Sequence, residues 1–285
     1  MAPTLLFCVG ATKASTTWLY RFLSGHPDCH LRSIKELHYF DRLDAGKTKP
    51  AIASLQESLD RIRSETRKSA TLGTSAKIKD IEAWRGVLQS PNYDAYVSYL
   101  IDGIGVRRLV ADITPSYALL SADRFREMAA ILPDVRFVYL IRDPVARLWS
   151  HIRMSAFRRN GDLETEAGDV FEAALDGKQP DILARGDYCA AISQLDASVD
   201  PSRLLVMFQE VLLTVSGVKH LCSFLGIADH SADFANRVHF GPNLAMTSDQ
   251  LLRARAALRP QYEYASARFG KLPEAWLRNM GESLA

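Results

Sequence analysis

The sequence is poor in cysteine and has no metal-binding cysteine spacing. It contains four cysteines among 285 residues, Cys8, Cys29, Cys189 and Cys222, and no two of them form a C-x-x-C pair. Cys8 and Cys222 lie in apolar patterns and are predicted to be core residues. The composition therefore indicates a reducing compartment and argues against a cysteine-rich zinc site, so that we expect no metal.

Long apolar runs and a strong charge of one sign are also missing. No segment approaches the roughly 20 apolar residues of a membrane-spanning helix. The first strand pattern begins almost at Met1, which leaves no room for a signal peptide, and we expect a cytoplasmic protein without a membrane span. The 35 Lys and Arg residues against 33 Asp and Glu give a formal net charge of +2. Binding to nucleic acid through a broad basic surface is therefore not expected.

The sequence does contain an alternation of short apolar runs and longer amphipathic segments. Buried strands are predicted from the apolar runs at 4–10, 109–113, 135–141 and 203–208. Helical periodicity follows residues 15 and 144 and recurs at 188–195, 211–225 and 247–269. This order predicts an α/β fold with a central, mostly parallel sheet flanked by helices. The length suits a single domain, 1–285.

The first strand leads into a loop that has the character of an anion-binding site. The segment reads Gly10-Ala-Thr-Lys13-Ala-Ser-Thr16-Thr17 and opens a helix. The free N–H groups and the dipole of a helix N-terminus bind phosphate-like anions. The nucleoside triphosphate motif G-x-x-x-x-G-K-[ST] is not matched, because no magnesium-binding hydroxyl directly follows the lysine. A P-loop-type nucleotide kinase is therefore the weaker alternative.

Four further segments carry polar residues next to predicted strands or helices. VYLIRDPVARLWSH places Arg142 at a strand end and Ser150 on the next helix, and a guanidinium fork with a hydroxyl suits a phosphomonoester. The other three segments are IKELHYFD at 34–41, ADITPSY at 111–117, and ARGDYCAAISQL at 184–195 before the strand RLLVMFQE.

In this order the five segments resemble those of sulfotransferases that use 3′-phosphoadenosine 5′-phosphosulfate (PAPS), in particular the heparan sulfate sulfotransferases and their bacterial relatives. That branch has Lys-x-Gly-Thr-Thr, where Ser15 replaces the glycine here. It also has Lys-Glu-x-His-Phe-Phe, and Glu-x-Thr-Pro-Ser-Tyr, where Asp112 replaces the glutamate. The resemblance implies a P-loop NTPase-like three-layer fold and metal-independent, in-line sulfuryl transfer from PAPS.

The resemblance also implies roles for single residues. Lys13 would contact the sulfuryl group and Thr16 and Thr17 the 5′-phosphate, whereas Arg142 and Ser150 would bind the 3′-phosphate. Further cofactor contacts are expected from the following residues: Ala14, Ser15, Trp18, Tyr188, Arg237 and Asn243.

The sequence leaves two candidates for the general base and several classes of acceptor. Glu36 is the expected base and His38 its competitor, with Lys35 as a further catalytic residue. An extended chain would place Glu36 and His38 on the same side. The acceptor is expected to be a hydroxyl-bearing (or amine-bearing) sugar, lipid or secondary metabolite of low charge, because no dense basic tract occurs.

The segment 44–105 has a weaker pattern, in which Gly73-Thr74-Ser75 predicts a turn between two helical pieces. We expect it to form a helical insertion near the acceptor site. The aromatic residues that could stack on an acceptor, or lie in the core, are Trp84, Tyr93, Tyr96, Tyr117 and Trp149. A non-catalytic nucleotide-binding protein of the same fold is a further alternative, and the sequence does not indicate an oligomeric state.

Overall fold

The computed structural model describes residues 2–66, 72–235 and 244–280. Its centre is a parallel sheet in the order β2-β3-β1-β4-β5. The strands are β1 (Thr4–Gly10), β2 (Cys29–His30), β3 (Leu109–Ile113), β4 (Val135–Ile141) and β5 (Leu204–Phe208). The predicted parallel sheet is confirmed. The sequence pattern missed β2, because a strand of two residues has no periodicity.

Fourteen α-helices occur in the described residues. They are α1 (Thr16–Ser24), α2 (Tyr39–Asp44), α3 (Thr48–Thr66), α4 (Leu72–Gln89), α5 (Tyr93–Ile101), α6 (Ala122–Ala129), α7 (Pro144–Phe157), α8 (Leu163–Leu175), α9 (Pro180–Ala184), α10 (Tyr188–Asp196), α11 (Gln209–Leu212), α12 (Val215–Leu225), α13 (Ser248–Phe269) and α14 (Glu274–Met280). Two 3₁₀ turns lie at Pro115–Leu119 and Pro201–Arg203. No described helix has the length and apolar character needed to cross a membrane.

Two helix predictions require correction. Gly73, Thr74 and Ser75 lie inside α4 and not in a turn. The helix predicted at 211–225 is divided into α11 and α12, because Thr214 caps a new helix with its side chain. The remaining helix predictions are confirmed within one or two residues. Pro144, for example, stands at the start of α7, where the side chain of Asp143 accepts a hydrogen bond from the Ala146 N–H.

One cluster of buried side chains connects both faces of the sheet. It extends from Leu5 on β1 to Trp276 on α14 and includes Trp84 and Tyr96 of the helical segment before β3. Cys8 and Cys222 are fully buried, as predicted. Burial of such continuous apolar strands on both faces is the usual driving force for a parallel sheet. Because all strands are parallel, the residues that follow β1, β3, β4 and β5 lie at the same edge.

Candidate functional site

A large cavity opens at the carboxyl edge of the sheet. Its volume is about 1730 Å³, which exceeds the roughly 300–1,000 Å³ of most small-molecule sites and leaves room for two ligands. Residues after β1, β3, β4 and β5 line it, together with one side of α7. None of the described residues between 44 and 105 lines this cavity.

The loop after β1 has the backbone of an anion cradle. Lys13 and Ser15 adopt left-handed conformations, with φ of 73° and 66°. Gly10 must be glycine, because a Cβ there would lie 2.4 Å from the ring of Tyr139. The Ser15 side chain makes no capping hydrogen bond to α1, and the first residues of this helix line the cavity, so its first N–H groups are not capped by Ser15.

Two features of this loop suit a bound anion. Thr12 lines the cavity, and its hydroxyl oxygen is buried without a hydrogen-bond partner among the described residues. Buried polar atoms without partners are rare in folded proteins. The side chains of Thr16 and Thr17 also line the cavity, whereas Ala14 is fully buried and can contribute its backbone only.

Lys13 has no acidic partner among the described residues. Its Nζ lies 3.7 Å from Sδ of Met154 on α7. Burial, followed by the charges of Arg142, Arg153 and Arg158, lowers the pKa of Lys13 to about 8. A cation held in this environment gains most from an incoming anion, because the anion compensates both the burial and the repulsion.

Arg142 joins the loop after β4 to the loop after β1. Its Nη1 donates a hydrogen bond to the backbone oxygen of Lys13 at 3.1 Å. Asp143 does not pair with it and instead accepts hydrogen bonds from Tyr262 and Asn279 and caps α7. Ser150, one of the predicted anion ligands, lines the same cavity.

Tyr188 and Trp18, two predicted cofactor contacts, differ in their relation to the cavity. Tyr188 is fully buried and does not line the cavity. Its hydroxyl donates to the backbone oxygen of Arg142, so it fixes the arginine loop. Trp18 lines the cavity, stacks on Phe22 and Phe234, and donates from Nε1 to the Asp233 backbone oxygen at 3.0 Å.

Four charged side chains contact one another just before α2 and in its first turn. The Glu36 carboxylate forms an ion pair with Lys35, and its Oε2 lies 3.7 Å from His38 Nε2. The other imidazole nitrogen, Nδ1, lies 2.7 Å from Asp41 Oδ2. Lys35, Glu36 and His38 all line the cavity. Asp41 was not predicted as a site residue. Its position three residues after His38, at the start of a helix, could have indicated that the two side chains meet.

The backbone that brings Glu36 and His38 together differs from the prediction. Both residues are left-handed, with φ of 62° and 53°, and the chain is not extended. Burial raises the pKa of Glu36, but the interactions with His38 and Lys35 outweigh it and lower the value to about 2. Burial opposes the charge of His38, yet Asp41 and Glu36 raise the pKa of its imidazole to about 9. At neutral pH the glutamate is ionised and the histidine protonated.

A buried carboxylate holds the segment around His38 in place through a network of hydrogen bonds. Asp112 accepts hydrogen bonds from the hydroxyls of Tyr96 and Tyr117, both at 2.8 Å, and from Thr114 at 2.6 Å. The Tyr117 hydroxyl in turn accepts from the backbone N–H of Tyr39 at 2.8 Å. The buried network therefore fixes the backbone next to His38. The candidate stacking residues Trp84, Tyr96, Tyr117 and Trp149 are all buried core residues.

Positive side chains dominate the cavity. Its lining includes six Lys or Arg residues and three acidic residues: Lys13, Lys35, Arg142, Arg153, Arg158 and Arg185, against Glu36, Asp181 and Glu210. The predicted contacts Arg237 and Asn243 lie outside the described residues. Within the described ranges no group of three or more His, Cys, Asp or Glu side chains is arranged to hold a metal ion.

Comparisons with known proteins identify the family and the fold. The model of the sulfotransferase family matches residues 3–231. A sulfotransferase structure from Alicyclobacillus acidocaldarius is similar, with 20% sequence identity and a TM-score of 0.66, over 97% of this chain and 99% of that chain. The sulfotransferase domain of the Synechococcus PCC 7002 olefin synthase has 19% identity and a TM-score of 0.51, over 90% and 95% of the two chains. No curated protein matches the sequence.

Proposed function

Because the chain belongs to the sulfotransferase family, we propose that it transfers a sulfuryl group from PAPS to a hydroxyl or amine of an acceptor molecule, with Glu36 as the general base. One observation carries the proposal. Lys13 and Arg142 are half-buried cations, the Arg142 guanidinium donates to the backbone oxygen of Lys13, and neither side chain has an ion pair within 4 Å among the described residues. Such a pair requires an anion of high charge.

The two ends of the nucleotide fit different residues of the cavity. The N–H groups at the start of α1, with the hydroxyls of Thr12, Thr16 and Thr17, are donors for the 5′-phosphosulfate. The guanidinium of Arg142 and the hydroxyl of Ser150 are donors for the 3′-phosphate. Tyr188 acts through the backbone of Arg142. Arg237 and Asn243 remain proposed contacts of the 3′-phosphate.

During the reaction negative charge develops on the leaving 5′-phosphate, and the acceptor loses a proton. The acceptor oxygen forms a bond to sulfur while the bond from sulfur to the 5′-phosphate oxygen breaks. Lys13 stabilises the negative charge that develops on the departing phosphate, in the manner of a preorganised cation. The acceptor proton passes to the carboxylate of Glu36.

The protonation states favour Glu36 over His38 as the base. A base must be free of its proton at the working pH, and the pKa values place His38 in its protonated form and Glu36 in its ionised form. His38, held between two carboxylates, orients Glu36. Displacement of Lys35 towards the sulfuryl oxygens would make Glu36 more basic, because Lys35 is one of the groups that lower its pKa.

The domain organisation, the acceptor class and the location of the protein are also proposals. We propose one domain for the whole chain, an acceptor that is a sugar, lipid or secondary metabolite, and action in the cytoplasm. The four cysteines are free, which supports a reducing compartment.

Nucleotide binding tests the proposal. The product 3′-phosphoadenosine 5′-phosphate (PAP) should raise the Tm of the protein through linkage, and adenosine 5′-phosphate should raise it much less. Arg142→Gln should remove most of this difference, whereas Arg61→Gln, on the exposed side of α3, should preserve it. Equal shifts from both nucleotides in the unmodified protein would refute the 3′-phosphate site.

A further inference from the structure

The cavity continues along α7 beyond the residues proposed for the nucleotide. Ser150, Met154 and Arg158 follow one another at a spacing of four residues, so that they lie on one side of the helix. With a rise of about 1.5 Å per residue, Arg158 lies roughly 12 Å along the helix axis from Ser150. Met154, which contacts Lys13, lies between them. Arg158 therefore stands on the far side of Lys13 from the proposed 3′-phosphate site.

A second arginine reaches this part of the cavity from another segment, because Arg185 and Arg158 line the same cavity and the charges of both act on His151. Arg185, at the end of α9, donates from Nη1 to the Ser116 hydroxyl at 2.7 Å. Its only acidic partner among the described residues is Asp181, at 3.9 Å, and 76% of the Asp181 side chain is exposed. Arg158 has no acidic partner at 4 Å or less among the described residues. Arg158 is exposed, so that solvent screens its charge, but the described residues supply little negative charge in this region.

The third donor is a histidine whose tautomer is fixed. His151 is buried, and its ring lines the cavity. Its Nδ1 lies 3.5 Å from Nη1 of the buried Arg147. An arginine can only donate, so Nδ1 accepts and the ring proton of neutral His151 resides on Nε2.

The surroundings of Arg147 keep this arrangement in place. Arg147 donates from Nη2 to the Ile182 backbone oxygen at 2.9 Å. It packs so closely on Gly186 that a Cβ there would lie 2.2 Å from the guanidinium. Burial, followed by the charges of Arg147 and Arg185, lowers the pKa of His151 to about 3. His151 is thus a neutral donor and cannot serve as a base or as an acceptor of a hydrogen bond in the cavity.

Arg158, Arg185 and His151 together present donors and positive charge, with the apolar side chains of Met154, Phe157 and Ile182 beside them. Building on the sulfotransferase function proposed above, we infer that the acceptor molecule carries an oxyanion group, a carboxylate, sulfate or phosphate ester, which binds to Arg158, Arg185 and the Nε2–H of His151. The group anchors the acceptor while its hydroxyl faces Glu36. Arg158 and Arg185 therefore determine which acceptors are used.

A pair of small probes tests this anion subsite. Binding of 4-fluorobenzoate and of its neutral counterpart 4-fluorobenzamide is measured by fluorine NMR on the protein saturated with PAP, so that the nucleotide site is filled. We expect the benzoate to bind at least about tenfold more tightly than the benzamide. Arg158→Gln and Arg185→Gln should each reduce this ratio, and the double variant should bring it close to one. The surface variant Arg61→Gln should keep the ratio of the unmodified protein.

Two results would overturn the inference: no preference for the benzoate, including no binding of either probe, or a preference that the double variant retains. The affinity for PAP is measured on the same samples, so that failure of the nucleotide proposal is seen separately. If PAP does not bind, the same probes are titrated without nucleotide. A benzoate preference that depends on Arg158 and Arg185 then still supports the subsite, and a preference independent of them refutes it.

Discussion

The imidazole of His38 lies between two carboxylates, with Nδ1 2.7 Å from Asp41 Oδ2 and Nε2 3.7 Å from Glu36 Oε2. The two carboxylates together raise the pKa of the ring to about 9. His38 therefore holds its proton at neutral pH, which is why we propose the ionised Glu36 as the group that takes a proton from the acceptor.

The first prediction concerns these residues. Glu36→Gln keeps the shape of the side chain and should lower kcat by about 100- to 10,000-fold, because the base is lost. The Kd for PAP should stay nearly unchanged. His38→Gln should be milder, since the ring orients Glu36 without accepting the proton. Asp44→Asn is a matched control on α2, the helix that follows these residues, because Asp44 pairs with Arg124 outside the cavity. An active Glu36→Gln enzyme beside an inactive His38→Gln enzyme would reverse the assignment.

The second prediction follows from Lys13. Its pKa is lowered to about 8, so the protonated form is lost as the pH rises through 8. The value of kcat/KM, which reflects the free enzyme, should therefore fall above about pH 8. Lys13→Arg keeps the charge at all pH values, and in this variant the decline should move towards pH 9, where His38 loses its proton. An identical decline in both enzymes would show that Lys13 does not titrate in the reaction.

The third prediction concerns the buried Asp112 network. Asp112→Ala leaves the hydroxyls of Tyr96, Tyr117 and Thr114 without their acceptor, and should lower the free energy of unfolding by about 3 kcal/mol. Tyr96→Phe removes one hydrogen bond and should lower it by about 1 kcal/mol. Asp123→Ala changes a side chain that is 87% exposed and should have almost no effect. Urea denaturation measures all three, and equal stability of Asp112→Ala and Asp123→Ala would contradict the network.

Much of the sheet, and the two loops proposed to bind the nucleotide, were predictable from the sequence. The strands β1, β3, β4 and β5 are mostly apolar runs, and polar residues follow each of them within a few positions, for example Lys13 after β1 and Arg142 after β4. Local pattern and chain order therefore located them. The φ of 66° at Ser15 is a conformation that glycine adopts without strain, which fits the glycine of the Lys-x-Gly-Thr-Thr motif that this loop resembles. The hydroxyl of Thr12 was not selected, since nothing in a sequence indicates a buried hydroxyl without a partner.

The acceptor end was less predictable, for a physical reason. We expected no dense basic groove, because the sequence has no dense basic tract. Arg158 at the end of α7 and Arg185 after α9 enter one cavity only through tertiary packing, with Arg147 buried behind His151. Summed charge and spacing do not show such a cluster. The left-handed backbone of Glu36 and His38 was equally hidden, since non-glycine residues rarely adopt it.

The most direct test of the account compares two donor labels in one reaction. The protein is incubated with sulfuryl-labelled PAPS and γ-phosphoryl-labelled ATP, with magnesium present, and with sugars, phenols and alcohols that do or do not carry an anionic group. We predict that sulfuryl label appears in an acceptor and that phosphoryl label does not. Lys13→Ala and Glu36→Gln should each reduce this transfer by about 100-fold or more. Transfer of the phosphoryl label alone, or sulfuryl transfer that both variants retain, would contradict the proposed sulfotransferase mechanism.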